Sequence, residues 1–128
     1  MDTYIEWQPA GLVIPRTAEI VSLNLRMDAG MTVELRDARS ESRWIAKFAD
    51  PPVAFREANE SFCFVLFQNL PKGRHSPFVV SNDTEYLRWI HMNSGNIYVN
   101  DGLKHFAIVG EECLDVLTVN MPLVSRTV

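Results

Sequence analysis

The alternation of apolar and polar side chains is clearest over residues 20–27, where Val21, Leu23, Leu25 and Met27 are separated by Ser22, Asn24 and Arg26. A period of two is that of a β-strand with one face in a core and the other in water. Asp28-Ala29-Gly30 interrupts it, and it resumes with Met31, Val33 and Leu35 set against Thr32, Glu34 and Arg36. A three-residue loop ending in a glycine that takes a left-handed conformation is a common hairpin connection. Pairing Met27 with Met31 sets Leu25 opposite Val33 and Leu23 opposite Leu35, so that every apolar residue falls on one face.

Residues 43–48 predict another strand, with Trp44, Ala46 and Phe48 on one side and Lys47 on the other. Asp50-Pro51-Pro52 ends it, because proline cannot donate to a ladder, and residues 53–57 form a new strand or a bent extension. Residues 61–70 contain Phe62-Cys63-Phe64-Val65-Leu66-Phe67. Such a continuous run fits either a fully buried strand or one short buried helix; in both cases Phe62, Phe64 and Phe67 fill core.

One helix is expected over residues 83–93. Asn82 supplies its N-cap, with Glu85 at the spacing of a capping box. Tyr86, Trp89 and Ile90 form its apolar face, Gly95 stops it, and His91 points to solvent. Ile97-Tyr98-Val99 then reads as a strand, and Asn100-Asp101-Gly102 as a turn into two final strands within residues 103–119. These elements predict one domain over residues 1–128 of the α+β class. It is mostly antiparallel β, a sheet meander of barrel- or sandwich-like form, with one amphipathic helix packed on it.

The final strand pair carries the candidate chemistry. His105 and Asp115 each interrupt an apolar run, and a carboxylate beside an imidazole fixes its tautomer. Whether they meet depends on the turn. A three-residue turn of Gly110, Glu111 and Glu112 pairs Val109 with Cys113, Ala107 with Asp115 and His105 with Leu117. His105 and Asp115 are then diagonal neighbours on one face, about 7–8 Å apart at the backbone. A two-residue turn sends them to opposite faces. No nucleophile accompanies them in a G-x-S-x-G elbow, so mutual pairing of two buried polar groups outweighs catalysis, and no catalytic residue is assigned. His75, His91 and His105 lie in separate elements without metal-ligand spacing, and no glycine-rich phosphate loop is present. No metal or cofactor is expected.

A chain of 128 residues with 47% hydrophobic content buries enough surface to fold without staples. Cys63 and Cys113 match no zinc or redox spacing and sit in apolar runs, which favours buried free thiols. The start, Met1-Asp2-Thr3-Tyr4-Ile5-Glu6-Trp7, lacks the order of a signal peptide, and no apolar run reaches the ~20 residues of a membrane span. A cytoplasmic protein without membrane contact is the expectation. The net charge is −4 with twelve scattered Lys and Arg residues, unlike the concentrated positive face of a nucleic-acid binder. Mild acidity suits solubility or a basic protein partner. Tyr4, Trp7 and Trp44 serve either as exposed protein-binding anchors or as plugs closing the ends of the fold.

The order of short segments carries a resemblance. Trp44-Ile45-Ala46-Lys47-Phe48, Ser76-Pro77-Phe78-Val79-Val80, Glu85-Tyr86-Leu87-Arg88-Trp89, Lys104-His105-Phe106-Ala107-Ile108 and Leu114-Asp115-Val116-Leu117 follow one another. Over about residues 20–122 the chain resembles small uncharacterised bacterial proteins in which a strand reading K-H-[FY]-x-I precedes one reading [LI]-[DE]-V-L. Several of these look like immunity proteins of polymorphic toxin systems, so the resemblance implies binding rather than catalysis. The leading expectation is therefore a non-enzymatic binding protein, of the kind that partners a toxin domain, with contacts from Asp83, Glu85, Asp101, Glu111 and Glu112. The alternative is a small-ligand binder or minor enzyme with a pocket lined by His105, Asp115 and Tyr98. A third is a homodimer or other homo-oligomer joined through exposed strand edges.

Overall fold

Strand-forming alternation dominates the chain, and nine strands and two helices result within residues 2–59 and 64–127, the residues described by the computed structural model. In chain order they are β1 (Ile5–Trp7), β2 (Ala18–Arg26), β3 (Gly30–Asp37), β4 (Arg43–Phe48), β5 (Ala54–Asn59), α1 (Phe64–Gln68), β6 (Phe78–Ser81), α2 (Glu85–Asn93), β7 (Lys104–Val109), β8 (Glu112–Thr118) and β9 (Leu123–Thr127). They build a five-stranded sheet of order β1-β6-β7-β8-β5 and a four-stranded sheet of order β2-β3-β4-β9. All pairings are antiparallel. The two sheets pack face to face as an open sandwich, and the predicted α+β class is observed.

The alternation along each strand decides what fills the space between the sheets. Met31, Val33 and Leu35 from β3 and Trp44, Ala46 and Phe48 from β4 meet Phe78, Phe106, Ile108, Leu114 and Val116 from the other sheet. Phe106 is central, with ring contacts to Trp7, Phe48 and Phe78 at 5.4–5.7 Å. The residues that alternate with these point to the outer face of the five-stranded sheet. There Val79, Ala107, Val109 and Cys113 pack under Leu66 and Phe67 of α1 and under Tyr4. Leu117 packs under Tyr86, Leu87 and Ile90 of α2. The five-stranded sheet is thus apolar on both faces, which is why β7 and β8 read as nearly continuous apolar runs rather than alternating ones.

Several expectations are corrected. The first hairpin pairs Leu25 with Met31 and Leu23 with Val33, closed by Arg26 opposite Gly30, so the turn is Met27-Asp28-Ala29. The slide by two residues preserves the faces. Gly30 is demanded by more than the turn: its φ is +89°, and an added Cβ would lie 2.1 Å from the carbonyl oxygen of Phe48. A bulge between Ile20 and Ser22 leaves Val21 without a partner and exposed, and Ile20 takes its place against the core. Met27, at the turn, is exposed as well.

Of residues 53–57, 54–57 belong to a new strand, β5, which crosses to the other sheet and pairs with β8, while Val53 lies just before it. Of the ambiguous run, residues 64–68 are helical; Phe62 and Cys63 lie outside the described residues. Cys113 is buried, as expected. The second helix starts at Glu85, and its N-cap is Thr84 rather than Asn82. Asn82 and Asp83 are still in the turn that leaves β6, where Asp83 N–H donates to Ser81 Oγ. The helix consequently docks through Tyr86 and Leu87, and Trp89 stands at its flank, 53% exposed. His91 is half-buried rather than solvated. Residues 97–99 form turns, not a strand, with Ile97 and Val99 exposed. Tyr4 and Trp44 are buried and Trp7 is half-buried on Phe78 and Phe106, so none of the three stands out as a freely exposed side chain.

Candidate functional site

The connection after Val109 has the three-residue register: Val109 pairs with Cys113, Ala107 with Asp115 and His105 with Leu117. His105 and Asp115 therefore share the outer face of the sheet. The diagonal is bridged by a 2.6 Å hydrogen bond from His105 Nε2 to Asp115 Oδ1. His105 is wholly buried, with the rings of Tyr4 and Tyr86 edge-on to it at 5.4 and 5.5 Å.

The hydrogen bonds assign its tautomer. Thr84 Oγ1 caps α2 by accepting from Leu87 N–H at 3.2 Å and lies 2.8 Å from His105 Nδ1. A hydroxyl has one proton to give and two lone pairs. The ionised Asp115 can only accept, so Nε2 of a neutral ring carries the hydrogen, Nδ1 is left as the acceptor, and Thr84, with one lone pair on the cap, gives its proton there. One threonine thereby starts a helix and orients a histidine.

From Asp115 the chain of contacts continues outward. Its second oxygen, Oδ2, accepts from Arg56 Nε at 2.9 Å, and Arg56 sits directly opposite Asp115 in the β5–β8 ladder. The Arg56 guanidinium lies over the Tyr86 ring, 4.1 Å from its centroid. Burial of Asp115 works to raise its pKa, but the hydrogen bond from His105 and the hydrogen bond and charge of Arg56 outweigh it and hold the carboxyl below the ordinary carboxylate value. Burial, reinforced by the charges of Asp115 and Asp2, pushes the Tyr4 phenol up, and burial raises Tyr86 as well. Both tyrosines stay neutral at physiological pH.

Above this network is a cleft of about 640 Å³ lined by Asp2, Tyr4, Arg56, Ala58, Leu66, Glu85, Tyr86, Trp89 and Asp115, with Glu57 at the sheet edge. Its floor is the sheet and its walls are α1, α2 and the segment leading into β1. Trp89 lies against Tyr86 at the mouth, with ring centroids 5.8 Å apart. Asp2 is engaged: it accepts from Glu85 N–H and from Arg88, which also binds Asp83. Glu57 lies opposite Leu114 in the ladder, so its side chain belongs to the other face of the sheet. A hydrogen bond to Glu112 raises its carboxyl pKa, with burial acting the same way.

Of the residues expected to line a pocket, the fold brings His105 and Asp115 together and leaves Tyr98 apart. Tyr98 packs against the cluster of Tyr86, Leu87, Leu103 and Leu117 and is not among the residues lining the cleft. The five acids expected to make contacts are all exposed but do not form one patch. Asp83 and Glu85 stand at the start of α2, Asp101 in the loop before β7, and Glu111 and Glu112 at the far end of the β7–β8 hairpin. Only Glu85 of the five borders the cleft. Sequence reasoning missed Arg56, Tyr86, Thr84 and Trp89 as site residues. A signal for Arg56 was present: it stands alone between Ala54 and Ala58, small side chains that leave the outer face open around it.

Among the described residues, no group of three His, Cys, Asp or Glu side chains is arranged to hold a metal ion, and no helix is long and apolar enough to cross a membrane. In comparisons with known proteins, the chain matches no family model, no curated protein and no solved structure.

Proposed function

We propose that this chain is a non-enzymatic, cytoplasmic binding protein that recognises a basic protein partner at the cleft over Asp115, in the manner of an immunity-type partner of a toxin domain. The observation that carries the proposal is Trp89, a large aromatic side chain 53% exposed at the mouth of a formed cleft. Tryptophan in such a position is the residue type most enriched among interface anchors. Met92, one turn along α2, and Ile97 and Val99 in the following loop are exposed too, and they extend the apolar strip beyond the mouth.

The polar network supports binding over catalysis. Its one aliphatic hydroxyl, Thr84, is wholly buried and committed to the helix cap and to His105. What reaches the cleft is a carboxylate held below its ordinary pKa, a poor general base at neutral pH and a good fixed counter-charge. Affinity capture from native lysate with the wild-type chain and a Trp89→Ala variant tests the proposal. A basic protein retained by the first and lost by the second is the expected result; equal retention by both would remove the cleft from recognition.

A second reading has one observation of its own. A cleft of about 640 Å³ falls within the ~300–1,000 Å³ of small-molecule sites. Native mass spectrometry of the purified chain distinguishes the two readings, since a bound small molecule adds a discrete mass.

A further inference from the structure

We propose that the corner formed by Asp115 and Tyr86 is a subsite for an arginine side chain of the partner, and that Arg56 is a resident occupant which the partner's arginine displaces. The inference rests on the cleft being the recognition site and specifies what the cleft recognises. The corner already holds a guanidinium in the two contacts such a group seeks. One is a carboxylate oxygen 2.9 Å from Nε, and the other is an aromatic face 4.1 Å from Cζ. A planar, weakly hydrated cation suits both together, whereas an ammonium cannot stack in the same way.

The two halves of this contact are built differently. Asp115 is fixed, with its side chain only 12% exposed and its other oxygen held by His105, which Thr84 holds in turn. Tyr86 is buried in the helix–sheet core. Arg56 is 59% exposed and comes from β5, an edge strand paired on one side only. An ion pair with one partner so exposed is screened by water and weakly held. If Arg56 swings out, Asp115 keeps the hydrogen bond of His105 and its freed oxygen faces the cleft, where water can solvate it. The receptor side thus persists without its occupant. Glu85 and Trp89 border the route into the corner, and Glu85 adds a second negative charge for an incoming cation. The net charge of −4 acts in the same sense at longer range.

The test is nuclear magnetic resonance titration of the full chain with N-acetyl-arginine amide, using the isosteric citrulline amide as neutral control. The expected result is a saturable shift of the Trp89 indole and of the Arg56 Nε–H signal with the arginine probe and none with citrulline. The buried Trp44 indole serves as the internal reference. Arg56→Met should bind the probe about three- to fivefold more tightly, because the competing occupant is gone. Glu85→Gln should weaken it about two- to fivefold. A peptide flanking arginine with apolar residues should bind more tightly than the amide if the source is a protein; equal binding would point to a small guanidinium compound and overturn the assignment to a partner side chain. Shifts of equal size with citrulline would overturn the charge recognition. Tighter binding absent in Arg56→Met, with Arg56 Nε–H unmoved in the wild-type chain, would overturn displacement. If the arginine probe produces no response while Trp89→Ala still loses the captured partner, the subsite fails and the cleft stands.

Discussion

Replacing Thr84 by valine keeps the shape of the side chain and removes its hydroxyl, which separates the two roles of that group from packing. The first loss is the cap of α2, the 3.2 Å contact to Leu87 N–H, worth about 1 kcal/mol in comparable helices. The second is the 2.8 Å contact to His105 Nδ1. With His105 wholly buried, its ring nitrogen is left without a partner, at about 1–3 kcal/mol. The sum is about 2–4 kcal/mol, a large part of the ~5–15 kcal/mol by which domains of this kind are stable. Urea denaturation followed by tryptophan fluorescence reads it as a fall in midpoint of roughly 1–2 M, with m for small domains at ~1–3 kcal/mol/M. Thr84→Ser, which retains the hydroxyl, should lose no more than about 1 kcal/mol. In a His105→Phe background the second loss has no object, so Thr84→Val should cost only the cap, about 1 kcal/mol. If Thr84→Val costs under ~1 kcal/mol in the wild-type background, or Thr84→Ser costs as much as valine, the double role of the Thr84 hydroxyl as cap and as partner of His105 is wrong.

The remaining predictions concern acid, backbone and surface. Folding holds the Asp115 carboxyl below its ordinary value of 3.8, so the unfolded chain binds the proton more readily than the native one. The stabilisation is complete above that value and is lost as pH falls from there through the folded value; Asp37, lowered by hydrogen bonds from Ser40, Thr17 and Arg39 that outweigh its burial, acts in the same direction. Urea midpoints measured down the acid range should fall less steeply for Asp115→Asn than for the wild-type chain. Gly30→Ala sets a Cβ against the Phe48 carbonyl at a φ of +89° and should cost more than ~2 kcal/mol in thermal unfolding. Gly11→Ala, at a φ of +74° in open space, should cost only the ~1 kcal/mol of strain. Trp89→Ala should leave the thermal midpoint within the range of ordinary surface changes, about ±0.5 kcal/mol, while removing partner capture.

How much of this was legible beforehand depends on the range of the interaction that decides it. The hairpin of β2 and β3, the strand β4 and the pairing of β7 with β8 follow from period and turn length, which are local. The face shared by His105 and Asp115 did not follow, because the sequence allowed a two- or a three-residue turn after Val109, and only the observed pairing of Val109 with Cys113 decides it. The displaced start of α2 at Thr84 did not follow, because a threonine and an asparagine two residues apart are both good caps. The choice fell to Thr84, whose hydroxyl also meets His105. The bulge at Val21 and the turns at residues 97–99 escaped for a related reason: local propensity favoured strand in both.

The chain by itself determined that apolar side chains would alternate on paired antiparallel strands, that β7 and β8 would be central, and that two polar groups within them would need partners. A strand buried on both faces has to be apolar at nearly every position, and that shows in composition. Tertiary structure alone decided which groups those partners would be. Arg56 reaches Asp115 because β5 leaves one sheet to pair with β8 in the other, 59 residues away along the chain. Thr84 and Tyr86 reach His105 because α2 lies across the outer face. The cleft exists because two helices and the segment before β1 cover that face incompletely. None of these contacts is encoded in a period or a motif, since each depends on where a crossover places one element against another.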